Sequence, residues 1–336
     1  MVLNFQENIS LLPFNTFGIS VKSKKFIGIE NTEALIEVLN QNEKEELLVL
    51  GGGSNLLLTQ DFEGLTIRME NRGMEVVQED GQWATVKVAA GENWHEFVLW
   101  CLEKNLGGVE NLALIPGSVG AAPIQNIGAY GVELKEVFES CEALSLNTKK
   151  IEIFTNKDCD FGYRNSVFKN RLKGQYIICS VTFKLSKSPH KFNTSYRGLS
   201  EKLEGHDSSI QSIAQAVIEI RSAKLPDPKQ IGNSGSFFKN PVIPSVQFKT
   251  LQNQYPEIPY YPDMEGSVKI PAAWLIDHLG WKGYRKKDAG VHKDQALVLV
   301  NYGNASGMEI KELAQAIQSK VSEAFGIVLD FEVNVL

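Results

Sequence analysis

Apolar residues recur along the chain at two periods, and each period predicts a different element. Leu35, Ile36 and Leu39 share one helix face behind Thr32, the expected N-cap. The short apolar run Leu47-Leu48-Val49-Leu50 reads as a buried strand feeding Gly51-Gly52-Gly53, and residues 85–89 as another strand. Asn93 is expected to cap a second helix, with Trp94, Phe97, Val98, Cys101 and Leu102 recurring at helical steps and Gly107-Gly108 stopping it. Residues 134–186 are strand-like, most clearly at 176–185; a helix at about 209–224 ends at the breakers Pro226 and Pro228. The proline-rich stretch 241–262 carries aromatics and reads as an ordered connection. Near the C-terminus Ile310, Leu313, Ile317, Val321 and Phe325 form the stripe of a helix over Gly307–Phe325, with Gly326 as its stop. Beyond it Leu329, Phe331, Val333 and Val335 alternate with Asp330, Glu332 and Asn334, so Glu332 is expected to project away from the apolar side of a terminal strand.

The length, 336 residues, accommodates two or three domains, and a 43% apolar share is enough to give each a core. A net charge of −6 argues against general nucleic-acid binding, which wants a basic face, but leaves room for an anionic small ligand in a locally positive cleft. Cys101, Cys141, Cys159 and Cys179 form no C-x-x-C pair and suit a reducing compartment. The first 18 residues lack a basic start and a long apolar run, and no apolar stretch reaches the roughly 20 residues of a membrane helix. A cytoplasmic protein is the expectation.

Two glycine-rich segments stand out; either alone reads equally as tight turns and close packing, and both together favour a large phosphate-bearing ligand. The first is Gly51-Gly52-Gly53-Ser54-Asn55; the second spans 115–131 and contains Gly117, Gly120, Gly128 and Gly131. Glycine lets backbone approach a ligand closely and present N–H groups to it, as a pyrophosphate demands. The first segment is not a dinucleotide fingerprint: the third glycine of G-x-G-x-x-G would fall on Leu56. There is no P-loop lysine motif, no G-x-S-x-G elbow and no zinc-binding arrangement of the five histidines; His95, inside a helix pattern, reads as structural. Arg164, between aromatics in Phe161-Gly-Tyr-Arg-Asn-Ser166, suits bidentate carboxylate recognition, or an ordinary structural ion pair. Ser234 and Ser236, in Gly232-Asn-Ser-Gly-Ser-Phe-Phe, are turn residues on the bland reading; on the other, Ser236 faces a cleft. Lys282, Arg285, Lys286 and Lys287 read as a solvated face.

Taken in order, Asn15-Thr16-Phe17, 49–56, 115–131, Gly162-Tyr-Arg-Asn-Ser166, Gly232–Pro241 and 292–301 resemble the UDP-N-acetylenolpyruvoylglucosamine reductase (MurB) family over nearly the whole chain. Each mark alone is weak; the ordered set is specific. The resemblance implies an α+β architecture: a vanillyl-alcohol-oxidase (PCMH)-type FAD-binding fold of two α+β subdomains, at 1–71 and 72–222, plus a third α+β substrate-binding domain at 223–327, with 328–336 returning to the first. It implies that Gly51, Gly52, Gly53, Ser54, Asn55, Ile115, Pro116, Gly117, Ser118, Val119, Gly120, Ala121, Ala122 and Ile127 hold FAD, although many members carry hydroxyl residues where this chain has Ala121 and Ala122. NADPH would reduce the flavin and leave, and the enolpyruvyl sugar nucleotide would take its place. Hydride from flavin N5 would go to the vinyl CH2. Arg164 would polarise the substrate carboxylate, assisted by a protonated or water-linked Glu332, and Ser236 would donate the proton. Tyr163, Lys224, Asn240, Tyr261, Lys269 and Gln295 match substrate-contacting positions, and residues 192–199 match a tyrosine-bearing loop that places Tyr196 near the diphosphate. No metal is implied, and a monomer is expected. The rival readings are an FAD oxidoreductase of the same fold acting on another substrate, and a sugar-nucleotide-binding protein without catalysis.

Overall fold

The computed structural model describes residues 3–205, 207–263 and 266–336. Its contacts divide the chain into two compact units. One comprises residues up to Ile9, Ser23–Gly52 and Phe62–Ala223; the other comprises Ser10–Lys22, Gly53–Asp61 and Lys224–Leu336.

The first unit holds two sheets. In the smaller, the strands Lys22–Ile29 and Leu47–Leu50 run parallel to Phe62–Met69 on either side of it. The helix Thr32–Gln41 makes the crossover, burying Ala34, Leu35, Val38 and Leu39. Its N-cap is Asn31 rather than Thr32: the Asn31 side chain accepts from the Ala34 amide at 2.8 Å, which leaves Thr32 as the first helical residue. The strand Leu47–Leu50 is also less buried than its composition suggests, since Val49 stays 40% exposed.

The larger sheet is antiparallel, in the order Ile151–Thr155, Phe138–Ser145, Tyr176–Ser186, Trp83–Ala89, Met74–Glu79. The helix Trp94–Glu103 lies on it, capped by Asn93 as expected, whose side chain accepts from the His95 and Glu96 amides. Its apolar side seats Trp94 and Phe97 against Phe183, with ring centroids 6.0 and 4.7 Å apart. The Trp94 indole N–H is satisfied by the Leu112 carbonyl at 2.9 Å, so this ring is buried without an orphaned donor.

The second unit is built on the antiparallel sheet Gly232–Ser236, Val298–Asn301, Ala289–Val291, Arg285–Lys286, covered by the helix Gly307–Phe325. That helix has both predicted ends: Ser306 and Glu309 form a capping box, and Gly326 closes it at φ +63°. The stretch 241–262 is ordered, but contains a helix at Ser245–Gln254 whose weak apolar face concealed it. A three-stranded sheet, Val242–Pro244, Ser267–Lys269, Tyr261–Pro262, stands beside it.

The C-terminal tail departs from a regular strand. Only Asn334–Val335 joins a ladder, parallel to Leu56–Leu57. The alternation still records burial, with Leu329 and Val333 in the core, because single backbone bonds hold the rest of the tail extended: Lys239 N to Asp330 O at 2.9 Å and Glu332 N to Phe237 O at 2.8 Å.

Candidate active site

In the first unit the two glycine segments meet. A Cβ on Gly52 would lie 2.8 Å from the Gly117 Cα, and one on Gly51 would overlap the Ser118 hydroxyl. Backbone packs on backbone here, and only glycine permits it. Among the described residues the amides of Gly52, Gly53 and Ser54 donate to no protein acceptor. By contrast the Val119, Gly120 and Ala121 amides are taken by the carbonyls of Glu92, Ala90 and Ser118. These three residues therefore shape the second segment rather than offer those N–H groups to a ligand. Ile115 stays half-buried, while the Ile127 side chain is buried and its carbonyl accepts from Leu134. His95 is structural as expected: its Nδ1 accepts from the Leu114 amide at 3.1 Å, immediately before the segment begins. Burial depresses its pKa, Glu96 opposes and Arg221 adds to the effect.

Arg164 sits in the turn Gly162–Asn165, whose two backbone bonds are reciprocal, at φ +51°. The turn is bolted to the second glycine segment by Ser166 Oγ to Ile124 O at 2.7 Å and Asn126 Nδ2 to Gly162 O at 3.0 Å. Arg164 itself lies over the Tyr163 ring and donates to the Gly128 carbonyl at 2.6 Å. Tyr196 is half exposed and packs edge-on against Tyr130, centroids 5.1 Å apart. The 192–199 segment is not all loop: Tyr196 caps the helix Arg197–Leu203, whose buried Leu199 and Leu203 give it an inward face.

Arg221, which opens the cluster 221–240 and carries no role in the sequence, lies on the helix Ile210–Lys224. It follows Ile210, Ile213, Ala214 and Val217, all buried, at helical steps along the same stripe. A cation on an apolar stripe is the signal that could have found it. Its Nε is fully shielded and has no partner among the described residues.

In the second unit Ser236 and Glu332, 96 positions apart in sequence, come together. Ser236 ends the strand Gly232–Ser236 at a bulge that Gly235 makes possible at φ +68°. The bulge is held by buried Asn233, whose side chain accepts from the Gly235 amide and donates to the Pro226 and Ile231 carbonyls. Directly after Ser236, the Phe237 carbonyl accepts from the Glu332 amide. Phe331 wedges against Phe237 and Phe238 at 5.2 and 5.5 Å. Asn55 grips the same tail, donating from Nδ2 to the Glu332 carbonyl at 3.3 Å and accepting from Asn334. The Asn15-Thr16-Phe17 motif is scaffold: Asn15 ties the turn from Leu11 to Ile19, Thr16 O accepts from Asn233, and Phe17 O accepts from Asn301.

The remaining expected substrate contacts in this unit cluster only in part. Tyr261 and Lys269 are register partners, Lys269 pairs with Asp263 at 3.3 Å, and Val242 faces Lys269 across the other edge. Asn240 already spends its Oδ1 on the Ala272 amide, at the start of the helix Ala272–His278. Lys224 is exposed, Gln295 half-buried. The basic group near 285 is solvated but engaged: Lys282, Arg285 and Lys287 pair with Asp277, Asp288 and Glu309. No helix among the described residues is long and apolar enough to cross a membrane.

Known proteins align with the chain end to end. A family model described as UDP-N-acetylenolpyruvoylglucosamine reductase, C-terminal domain, matches residues 227–336, and one described as FAD binding domain matches residues 24–153. UDP-N-acetylenolpyruvoylglucosamine reductases of Flavobacterium johnsoniae and Amoebophilus asiaticus are 49% and 50% identical over 99% of this chain and 100% of their own. That of Pseudomonas syringae pv. tomato is 48% identical over 99% of each. The solved structure of the Thermus caldophilus reductase (MurB) shares the fold, with a TM-score of 0.68 at 23% identity over 100% of this chain and 99% of that one.

Proposed function

Because the chain belongs to the UDP-N-acetylenolpyruvoylglucosamine reductase family, we propose that Arg164, Ser236 and Glu332 carry its chemistry. The enzyme is an FAD-dependent oxidoreductase that reduces UDP-N-acetylglucosamine enolpyruvate to UDP-N-acetylmuramate with NADPH, a step of peptidoglycan synthesis. FAD, when bound, supplies the redox chemistry, relaying two electrons from NADPH to the enolpyruvyl double bond.

The residues present suit that cofactor. Gly52 comes close to Gly117, and the amides of Gly52, Gly53 and Ser54 have no protein acceptor among the described residues, which leaves consecutive N–H groups of the kind that bind pyrophosphate. Gly51–Asn55 and the segment from Ile115 to Ala122, with Ile127 behind it, are the proposed FAD contacts. Residues 223–327 are the proposed substrate-binding part, with Tyr163, Tyr196, Lys224, Asn240, Tyr261, Lys269 and Gln295 against the sugar nucleotide.

Arg164 holds the substrate carboxylate, its guanidinium oriented by the Tyr163 ring and the Gly128 carbonyl. When the vinyl CH2 gains its new C–H bond, charge builds on the neighbouring carbon and its carboxylate, where a fixed guanidinium stabilises it most. Ser236 protonates that carbon. A serine hydroxyl is a weak acid, so the site must return its proton quickly, through water or a neighbouring group. Glu332, whose amide is bonded one residue beyond Ser236, assists Arg164 in polarising the carboxylate. The observation that carries this reading is the Glu332–Phe237 backbone bond, which ties proton donor and carboxylate into one rigid piece.

The test separates the half-reactions. Anaerobic NADPH should bleach the yellow enzyme and the enolpyruvyl substrate should restore the colour. Ser236→Ala should leave bleaching nearly intact and collapse recovery; equal loss in both steps would refute the donor role. We further propose a monomer acting in the cytoplasm. The four free, buried cysteines suit a reducing compartment, and light scattering on the holoenzyme checks the mass.

A further inference from the structure

We propose that Asn233 is a positioning residue for the proton step: its side chain sets the backbone turn that carries Ser236, and the Asn15-Thr16-Phe17 motif is the footing on which it stands. This deepens the reading above and rests on its assignment of the proton to Ser236. Every residue involved belongs to the second unit.

Three observations carry it. First, the ladder lapses just before Ser236. Asn233 pairs with Val300 and Ser236 with Val298, so Ser234 and Gly235 together stand opposite Leu299. Inside that bulge the Gly235 amide, at φ +68°, donates to the Asn233 Oδ1 at 2.9 Å. A side chain here replaces the rung that a regular strand would supply. Second, the Asn233 side chain has no freedom to turn. It is 2% exposed, and its Nδ2 donates to the Ile231 carbonyl at 2.8 Å and to the Pro226 carbonyl at 3.1 Å. Both N–H donors and the oxygen are engaged, which fixes the plane of the amide. Third, its backbone is anchored from a distant part of the chain: the Asn233 backbone N–H donates to the Thr16 carbonyl at 3.0 Å. Asn301, opposite Gly232, donates to the Phe17 and Gly18 carbonyls, and Asn15 closes the turn beneath them through Leu11 and Ile19. On the other side of Ser236 the Phe17 ring meets the Phe237 ring edge-on, centroids 6.2 Å apart. The motif therefore holds both neighbours of Ser236, one through Asn233 and the other by ring contact.

Protonation of carbon is unforgiving of position. Hydride addition at the vinyl CH2 leaves an electron pair on the carbon that bears the carboxylate. The second C–H bond forms from that pair and the Ser236 proton, the O–H pair stays on oxygen, and the alkoxide takes a proton back from water. The reacting atoms must stand about 3–3.5 Å apart, and a displacement of about 1 Å costs roughly 100-fold. The ladder resumes only at Ser236 itself, so the turn before it relies on Asn233 to meet that tolerance. Flavin reduction by NADPH takes no proton from Ser236 and does not depend on that turn.

The experiment follows both half-reactions of the flavin-loaded enzyme by stopped flow, in H2O and in D2O. Asn233→Ala removes the turn bond. Asn233→Ser keeps a hydroxyl that accepts more weakly from the amide two residues on, and serves where the alanine variant does not fold. Bleaching by NADPH and flavin content should stay at wild-type levels in both. Recovery of colour with the enolpyruvyl substrate should slow by roughly 100-fold in the alanine variant, and by less in the serine variant. The solvent isotope effect on recovery should exceed that of the wild type, because proton delivery becomes the slow step. Asn233→Ala combined with Ser236→Ala should recover no more slowly than Ser236→Ala alone, since the asparagine acts only through the serine. Equal slowing of bleaching and recovery, a loss that adds to that of Ser236→Ala, a slowed recovery with an unchanged isotope effect, or wild-type recovery in both variants each overturns the proposal. Ser236→Ala by itself separates the two readings. If it collapses recovery while the Asn233 variants do not, Asn233 alone loses its role; if it recovers at the wild-type rate, the donor assignment fails and the proposal falls with it.

Discussion

Replacing Gly52 by Ala tests the contact on which the proposed pyrophosphate surface rests. The added Cβ would sit 2.8 Å from the Gly117 Cα and 3.2 Å from its carbonyl carbon. Carbon atoms rest at about 3.5–4.0 Å, so one backbone must retreat by roughly 1 Å. Neither side has a flexible tip to move aside. Forced separations of packed groups cost about 1–3 kcal/mol, against a gain of only about 0.4–1 kcal/mol from stiffening the unfolded chain. The retreat opens the surface where FAD is proposed to bind, so the expected loss in FAD affinity is roughly 5- to 150-fold. Flavin would be stripped and retitrated by fluorescence quenching, with thermal unfolding followed with and without FAD. Two companions sharpen the outcome. Gly81→Ala, where nothing lies within 4 Å of the new Cβ, should change neither quantity. Gly51→Ala overlaps only the Ser118 hydroxyl, so Ser118→Ala should rescue much of it, leaving the Ser118 Cβ at 3.3 Å as the tightest contact. No second substitution of a side chain can rescue Gly52→Ala. If Gly52→Ala retains wild-type FAD affinity, the two glycine segments are not the cofactor surface.

Ser166→Ala removes the acceptor of the Phe168 amide and the donor to the Ile124 carbonyl in a fully buried position. A stability loss of about 1–3 kcal/mol is expected, and loosening of the Arg164 turn should raise KM for the nucleotide while FAD affinity holds; unchanged KM at measurably lower stability would separate the turn from the site. The His95 Nδ1 can accept from the Leu114 amide only when unprotonated, and its pKa is held below the ordinary 6.5 chiefly by burial. A histidine with a depressed folded pKa contributes fully above about 6.5 and loses its contribution as pH falls through the folded value. FAD release should therefore accelerate as acidification reaches the lowered folded pKa of His95, and His95→Asn, which keeps an acceptor but does not titrate, should flatten that limb; an identical acid limb in the variant would exclude His95 as its source.

Elements whose signals are local were legible. Ser306, Glu309 and Gly326 bracket the helix Gly307–Phe325 because caps act within three residues of the ends they satisfy. The Asn31–Thr32 pair shows the limit: both types cap well, and only the geometry of the Ala34 amide chooses between them. The helix Ser245–Gln254 was hidden because it barely has an apolar face: it buries Phe248 and Leu251 while Val246 is 78% exposed. Alternation in the tail correctly sorted Leu329 and Val333 inward, yet burial does not require a ladder, and no neighbouring strand runs the full length of the tail.

The same distinction governs the site. Glycines that permit close backbone approach are visible one residue at a time, which is why the two segments could be singled out before their meeting at Gly52 and Gly117 was known. The pairing of Ser236 with Glu332 is not local: it depends on the helix Gly307–Phe325 returning the chain so that Phe331 can wedge against Phe237 and Phe238. In sequence one is a serine beside a glycine and the other a projecting glutamate, and only the resemblance of the ordered motifs joined them. Arg221 is the opposite case, a residue that amphipathic periodicity could have exposed, since the stripe that buries Ile213 and Val217 carries it inward as well.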